Sequence, residues 1–219
     1  MAGRKTKQNP SETAADSQRI ARLVPTQQRS RERFERILAC AVEVMAEKGS
    51  DAFRMSDIVE RTGIAFGSLY QYFPDKTAII GTLAERYNVI GRDCVRKELS
   101  ALKNIRDIHP VLCRIADSYY QFFLDVPAVR DIWQATQADR ALQNIDEEDG
   151  AYLSRMLVDA LQTVAPNVSE RSLSDFSQMM MVLIAAAVRH AIFLPPKDGR
   201  RILVLFKRML PKDLSALET

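Results

Sequence analysis

No stretch of this chain is apolar for long enough to span a bilayer. The longest run, residues 179–188 (MMMVLIAAAV), has ten residues, where a membrane helix needs about 20. The first residues carry Arg4, Lys5 and Lys7 with no apolar segment behind them, so no signal peptide is expected. Cysteines are few: Cys40, Cys94 and Cys113 are odd in number and widely spaced inside apolar helical patterns. That excludes a disulfide framework and reads as reduced, buried thiols acting as small hydrophobes in a cytoplasm, with redox sensing disfavoured. The two histidines, His109 and His190, belong to no metal-binding spacing. The acidic run at residues 146–149 (DEED) lacks the alternating ligands and glycine of a calcium loop. No G-x-S-x-G, phosphate loop or dinucleotide fingerprint occurs. Neither an enzyme nor a metal or cofactor is therefore expected. Alternating β-rich segments and internal repeats are also missing.

What is present is a soluble, helical composition. With 219 residues, 47% hydrophobic and 27% charged, the chain suits one or two domains with a substantial core. Its charge is unevenly placed. Residues 1–80 hold 13 Lys and Arg against 10 Asp and Glu, whereas residues 81–219 hold 18 against 18. Much of the excess lies in Arg19, Arg22, Arg29, Arg31, Arg33 and Arg36. Residues 1–18 read as a solvated leader. The arginines from Arg29 onward suit neutralisation of a nucleic-acid backbone with release of counterions.

Apolar spacing gives a first amphipathic helix through Phe34, Ile37, Leu38, Ala41, Val42 and Met45, ending before Gly49. Asp75 is placed to cap a long helix over residues 76–102. Helices are further expected over residues 110–124, 128–138 and 152–163, then from a cap at Ser169 or Ser172 to residue 194, and over residues 196–210. The DEED run and Gly150 are expected to form a loop or a helix start. The expected fold is all-α, with an N-terminal three-helix unit, a C-terminal helical bundle and about nine helices in total. The expected organisation is a disordered basic leader over 1–28, a first helical domain over 29–76 and a second helical domain over 77–219.

Residues 54–76 (RMSDIVERTGIAFGSLYQYFPDK) carry the most information. Ile58 and Val59 give a short helix its apolar face, and Gly63 suits the left-handed residue that ends it. Leu69, Tyr72 and Phe73 put an apolar stripe on a second short helix. Two helices joined by so tight a corner form a helix-turn-helix, whose second helix enters the major groove of DNA. The motif resembles the DNA-binding domain of the TetR family of bacterial transcriptional regulators. The resemblance rests on Ile37-Leu38-x-x-Ala41, Gly49, Ile58-Val59, Gly63-Ile64-Ala65, Leu69-Tyr70-Gln71-Tyr72-Phe73 and Lys76, about 45 residues in all.

Physical roles follow for these positions. Tyr70, Tyr72 and Lys76 are expected at phosphates, the lysine aided by the positive end of its helix. Gly67 allows close approach to the backbone, and Ser68 and Gln71 share a face that can touch base edges. Arg54 stands where the family usually has a capping Thr or Ser. It can reach a phosphate but cannot cap, which leaves Ser56 to supply the hydroxyl. Ala65 removes a second cap, and Phe66 is balanced between a thymine methyl and packing on the first helix.

For the C-terminal half the resemblance implies a small-molecule cavity and a homodimer interface. Tyr119, Phe122, Phe123, Trp133, Gln137, Met156 and Met180 are the candidate cavity residues, suiting a largely apolar or aromatic effector. Phe176, Met180, Leu183, Ala187, Ile202, Leu205, Phe206 and Met209 form apolar stripes on the last two helices, suited to four-helix pairing across a two-fold axis. The implied function is a ligand-responsive regulator, most naturally a repressor, that binds a pseudo-palindromic double-stranded DNA operator as a homodimer. The alternatives are a helical interaction protein without DNA binding and, less favoured, an enzyme.

Overall fold

The computed structural model describes residues 28–217. The expected leader thus lies outside the described residues up to residue 27, as do Arg19 and Arg22. Among the described residues there are nine α-helices, two short 3-10 turns and no strand. The helices are α1 (Gln28–Ala52), α2 (Met55–Thr62), α3 (Phe66–Tyr72), α4 (Lys76–Leu99), α5 (Ile108–Asp125), α6 (Ala128–Ala138), α7 (Arg140–Val164), α8 (Glu170–Ile192) and α9 (Pro196–Met209). The all-α expectation is met. No described helix is long and apolar enough to cross a membrane.

Local chemistry sets most boundaries. The helical path of α1 breaks at Gly49, where φ is 80°. Gly63 ends α2 at φ 67° and ψ 11°, a left-handed conformation that a side chain would strain. The Asp75 carboxylate accepts the Ala78 N–H at 2.8 Å and opens α4, and Ser169 Oγ accepts the Ser172 N–H at 3.1 Å to open α8. Pro195 and Pro196 separate α8 from α9. The final turn expected of α4 is lost, since that helix stops at Leu99.

One expectation is corrected. The DEED run is neither a loop nor a helix start but lies within α7, which begins ten residues before Gly150. Asp139 starts that helix by accepting the Ala141 N–H at 2.9 Å. Two of the acids are neutralised inside the bundle: Asp149 by Arg92 at 2.5 Å and Asp146 by Arg189 at 3.3 Å.

Two apolar cores result. The first joins α1 (Ile37, Leu38, Met45), Ile58, Leu69 and Phe73 to the first turns of α4 (Ile79, Leu83). The second joins the last turns of α4 (Val95, Leu99) to Leu112 and Ile115 of α5, Leu157 and Leu161 of α7, Val188 of α8 and Leu203 of α9. Helix α4 therefore belongs to both cores. So does α6, which gives Ala128 and Ile132 to the first and Val129 to the second.

Candidate nucleic-acid interface and central cavity

Helices α2 and α3 meet at the Gly63 corner and hold one another through Ile58, Ile64 and Leu69, all buried. The remaining α3 side chains are pushed outward. Phe66 and Tyr70 are 47% and 49% exposed, with rings stacked at 6.2 Å and 19°. Phe66 therefore packs on Tyr70 and not on α1. Gly67 and Gln71 are exposed and Ser68 is half-buried. A Cβ at Gly67 would meet nothing within 4 Å, so this face is open to close approach. No side chain caps α3, in keeping with Ala65 at its start.

Cations border that face. Lys76 is exposed at the first position of α4, directly after the Asp75 cap. Arg29, Arg31 and Arg33 are exposed on the first turns of α1. At about 100° per residue, Arg29 and Arg33 share one flank with Arg36 while Arg31 points away from them. Arg36 bridges α1 to α2 by donating to the Thr62 carbonyl at 2.8 Å.

Two expectations for this surface fail. Tyr72 is only 5% exposed, its ring lies edge-on to Phe34, and its hydroxyl hydrogen-bonds Ser30 at 2.7 Å. It holds α3 against α1 and is not open to a phosphate. Nor does Ser56 cap α2. The Asp57 carboxylate accepts the Arg54 N–H at 2.8 Å, closing the helix start from its third position. Ser56 stays exposed, as does the Arg54 side chain. The sequence offered a signal for Asp57, an acid three residues after the capping position.

The C-terminal bundle encloses a cavity of about 710 Å³ between α4, α5, α6, α7 and α8. Four of the candidate residues line it, namely Tyr119, Phe122, Phe123 and Trp133. Three do not. Gln137 is exposed and donates to Asp146 Oδ2 at 2.8 Å, and Met156 packs against the second core. Met180 and Met181 are both buried in that core, and of the two only Met181 also lines the cavity. The wall also includes Asn88, Thr136, Asp146, Asp149, Gln178 and Arg189. The clue to Arg189 was a cation closing the ten-residue apolar run. The acids were hidden by an apparent loop composition.

The cavity's polar groups are strongly shaped by burial. The Arg189 guanidinium lies over the Trp133 ring at 4.5 Å. Burial pushes the Tyr119 phenol up, opposed by the charge of Arg189. Burial likewise pushes the Asp149 carboxyl up against the pull of Arg92. The Cys40 and Cys113 thiols are raised by burial too, which suits unreactive thiols at neutral pH.

On the outer face of α8 and α9, Leu183, Leu205 and Met209 are exposed, the last at 74%. Met179, Val182 and Val204 join them there. Phe176, Ala187, Ile202 and Phe206 are half-buried, and Met180 is withdrawn into the core.

Comparison with known proteins agrees with this anatomy. Residues 106–218 match the family described as Tetracyclin repressor-like, C-terminal domain, and residues 37–83 match Bacterial regulatory proteins, tetR family. The chain is 47% identical over 53 residues to the uncharacterized HTH-type transcriptional regulator YvdT of Bacillus subtilis (strain 168), covering 24% of this chain and 27% of that protein. The chain thus spans about a quarter of the length of the curated relatives it matches. A crystal structure of a TetR-family regulator from Pectobacterium atrosepticum superposes with a TM-score of 0.64 at 17% identity, over 84% of this chain and 93% of that one. The regulator FadR from Bacillus subtilis, solved with stearoyl-CoA, superposes with a TM-score of 0.58 at 17% identity, over 81% and 100%. At such identities the structural likeness concerns the fold.

Proposed function

Because this chain belongs to the tetR family of bacterial regulatory proteins, we propose that it is a repressor whose homodimer binds a pseudo-palindromic DNA operator and is released by a small molecule in the cavity. The observation that carries this reading is the double service of α6. Its Ile132 is packed in the same core as α1 and also lines the cavity, beside Trp133 and Thr136. A ligand that presses on α6 therefore presses on the support of the reading head. A second tie runs from Thr77, next to Lys76, whose hydroxyl donates to Asp139 Oδ2 at 3.1 Å at the start of α7.

On the DNA side, Tyr70 and Lys76 hold phosphates, with Arg29, Arg33 and Arg54 extending the contact along the backbone. Gln71, Ser68 and Phe66 face the base edges. Release requires that the ligand bind the two arrangements of the heads with different affinity, by a few kcal/mol. The test is an anisotropy titration against DNA flanking the protein's own gene, with random DNA as competitor at two salt concentrations. Tight binding that resists the competitor is the expected result. Affinity equal to that for random DNA, across fragments selected from the whole genome, would overturn the reading.

A further inference from the structure

The cavity is mostly hydrocarbon and ring surface, and its polar groups gather around Arg189. The acceptors there are already served. Asp146 accepts from Gln137 at 2.8 Å and from Arg189 at 3.3 Å to each oxygen, and Asp149 accepts from Arg92 at 2.5 Å. The donors are not. Trp133 Nε1–H and Arg189 Nε–H are buried with no hydrogen-bond partner among the described residues. An unmet buried donor carries the whole penalty of its desolvation, and an acceptor brought by a ligand removes it. Tyr119 adds a phenol O–H beside Arg189, and burial pushes its pKa further up.

Charge narrows the ligand further. Each cavity aspartate just described has its arginine, so the polar corner is close to neutral. A ligand carboxylate would lie against Asp146. A ligand ammonium would lie against Arg189 and could accept nothing from the two N–H groups. Both nitrogens are buried, with the guanidinium over the indole at 4.5 Å, so an acceptor meets them only if the Arg189 side chain shifts. It then pairs two donors that the closed stack leaves unmet.

We infer that the cavity takes an uncharged molecule with a flat aromatic or apolar body and a carbonyl-type acceptor, which meets Trp133 Nε1–H and Arg189 Nε–H. This rests on the cavity being the effector site and adds its chemistry. Discrimination of this kind is strong where a site is built to hydrogen-bond one group, because the analogue without that group leaves its donors unpaired.

The experiment uses the full chain and four probes with one ring system: 9-fluorenone, fluorene, 9-aminofluorene and fluorene-9-carboxylate. Binding is read by calorimetry and by fluorescence of Trp133, the single tryptophan of the chain. The ketone is expected to bind at least tenfold more tightly than each of the other three and to change the Trp133 emission. Trp133→Phe, which keeps an aromatic ring and loses the N–H, should reduce the advantage of the ketone over fluorene to less than threefold by calorimetry. Arg189→Lys, which keeps the charge and loses Nε–H, is the second variant should the first not fold. Equal affinity for ketone and hydrocarbon, preference for either charged probe, or binding of none would overturn the inference. Operator release is scored separately on the same samples. A selective ketone that leaves DNA binding intact supports the ligand chemistry and counts against the repressor-release reading alone.

Discussion

Asp57 performs two tasks with one carboxylate. It caps the Arg54 N–H at 2.8 Å, pairs with Lys48 Nζ at 2.7 Å, and so fixes the start of α2 to the end of α1. The Lys48 contact, with the Arg54 N–H second, holds its carboxyl below the usual range. Asp57→Ala should lower stability by about 1 kcal/mol, the typical worth of a cap, as measured by urea unfolding. A depressed folded pKa fixes the sign of the pH dependence. The contribution is complete above the unfolded value of about 3.9 and is lost as pH falls through the lower folded value. The gap between parent and variant should therefore narrow as pH falls below the unfolded value, and a gap independent of pH would refute the ionic cap. On the exposed face, Lys76→Ala should weaken DNA binding on every sequence and reduce the salt slope by about 0.9. Gln71→Ala should instead change base preference at one position per half-site. Identical profiles of loss for the two variants would sink that division. Tyr70 and Tyr72 both carry a phenol hydroxyl, and helical spacing already sets Tyr72, with Leu69 and Phe73, on the apolar stripe. The packing of Phe34 and Ser30 against α3 then encloses the Tyr72 hydroxyl as well as its ring.

Helices α8 and α9 are in close contact at Gly199. A Cβ built there would lie 2.4 Å from the Ala191 carbonyl oxygen and 3.0 Å from the Tyr120 hydroxyl. The obstacle is backbone, so no rotamer change relieves it. Gly199→Ala should cost about 1–3 kcal/mol through overpacking, visible as a lower melting temperature. A variant as stable as the parent would mean that the two helices are free to separate. At this scale the sequence was read well wherever the governing chemistry is local. Gly63, Asp75, Ser169 and Pro195 each act on a neighbouring turn, and each was legible. The DEED run does not announce its helix because its charge partners are distant: Arg92 is 57 residues from Asp149, and Arg189 is 43 from Asp146. Met180 and Met181 show the same limit. Adjacent residues of one type are indistinguishable in an apolar run, and only the packing of α8 against its neighbours decides which of two core methionines also lines the cavity.

For the molecule as a whole, the unfinished surface is the outer side of α8 and α9. Met179, Val182, Leu183, Val204, Leu205 and Met209 all stand exposed there, and Ala186 between them is small enough to let a partner helix approach. Contiguous exposed apolar groups of this kind mark an interaction surface. Pairing like with like across a two-fold axis covers both copies at once. In the proposed homodimer such pairing would also present two α3 helices to one duplex, so that binding of the first half-site would raise the effective concentration of the second head to about the millimolar range. Leu205→Glu puts a charge on that surface at a residue that belongs to neither core and does not line the cavity. The variant should sediment at half the mass of the parent. Its affinity for a complete operator should fall about a hundredfold or more, towards that of the parent for a single half-site. A monomeric variant that still bound the complete operator as tightly as the parent would show that each head reads DNA alone, and the symmetry argued from this face would then have no part in recognition.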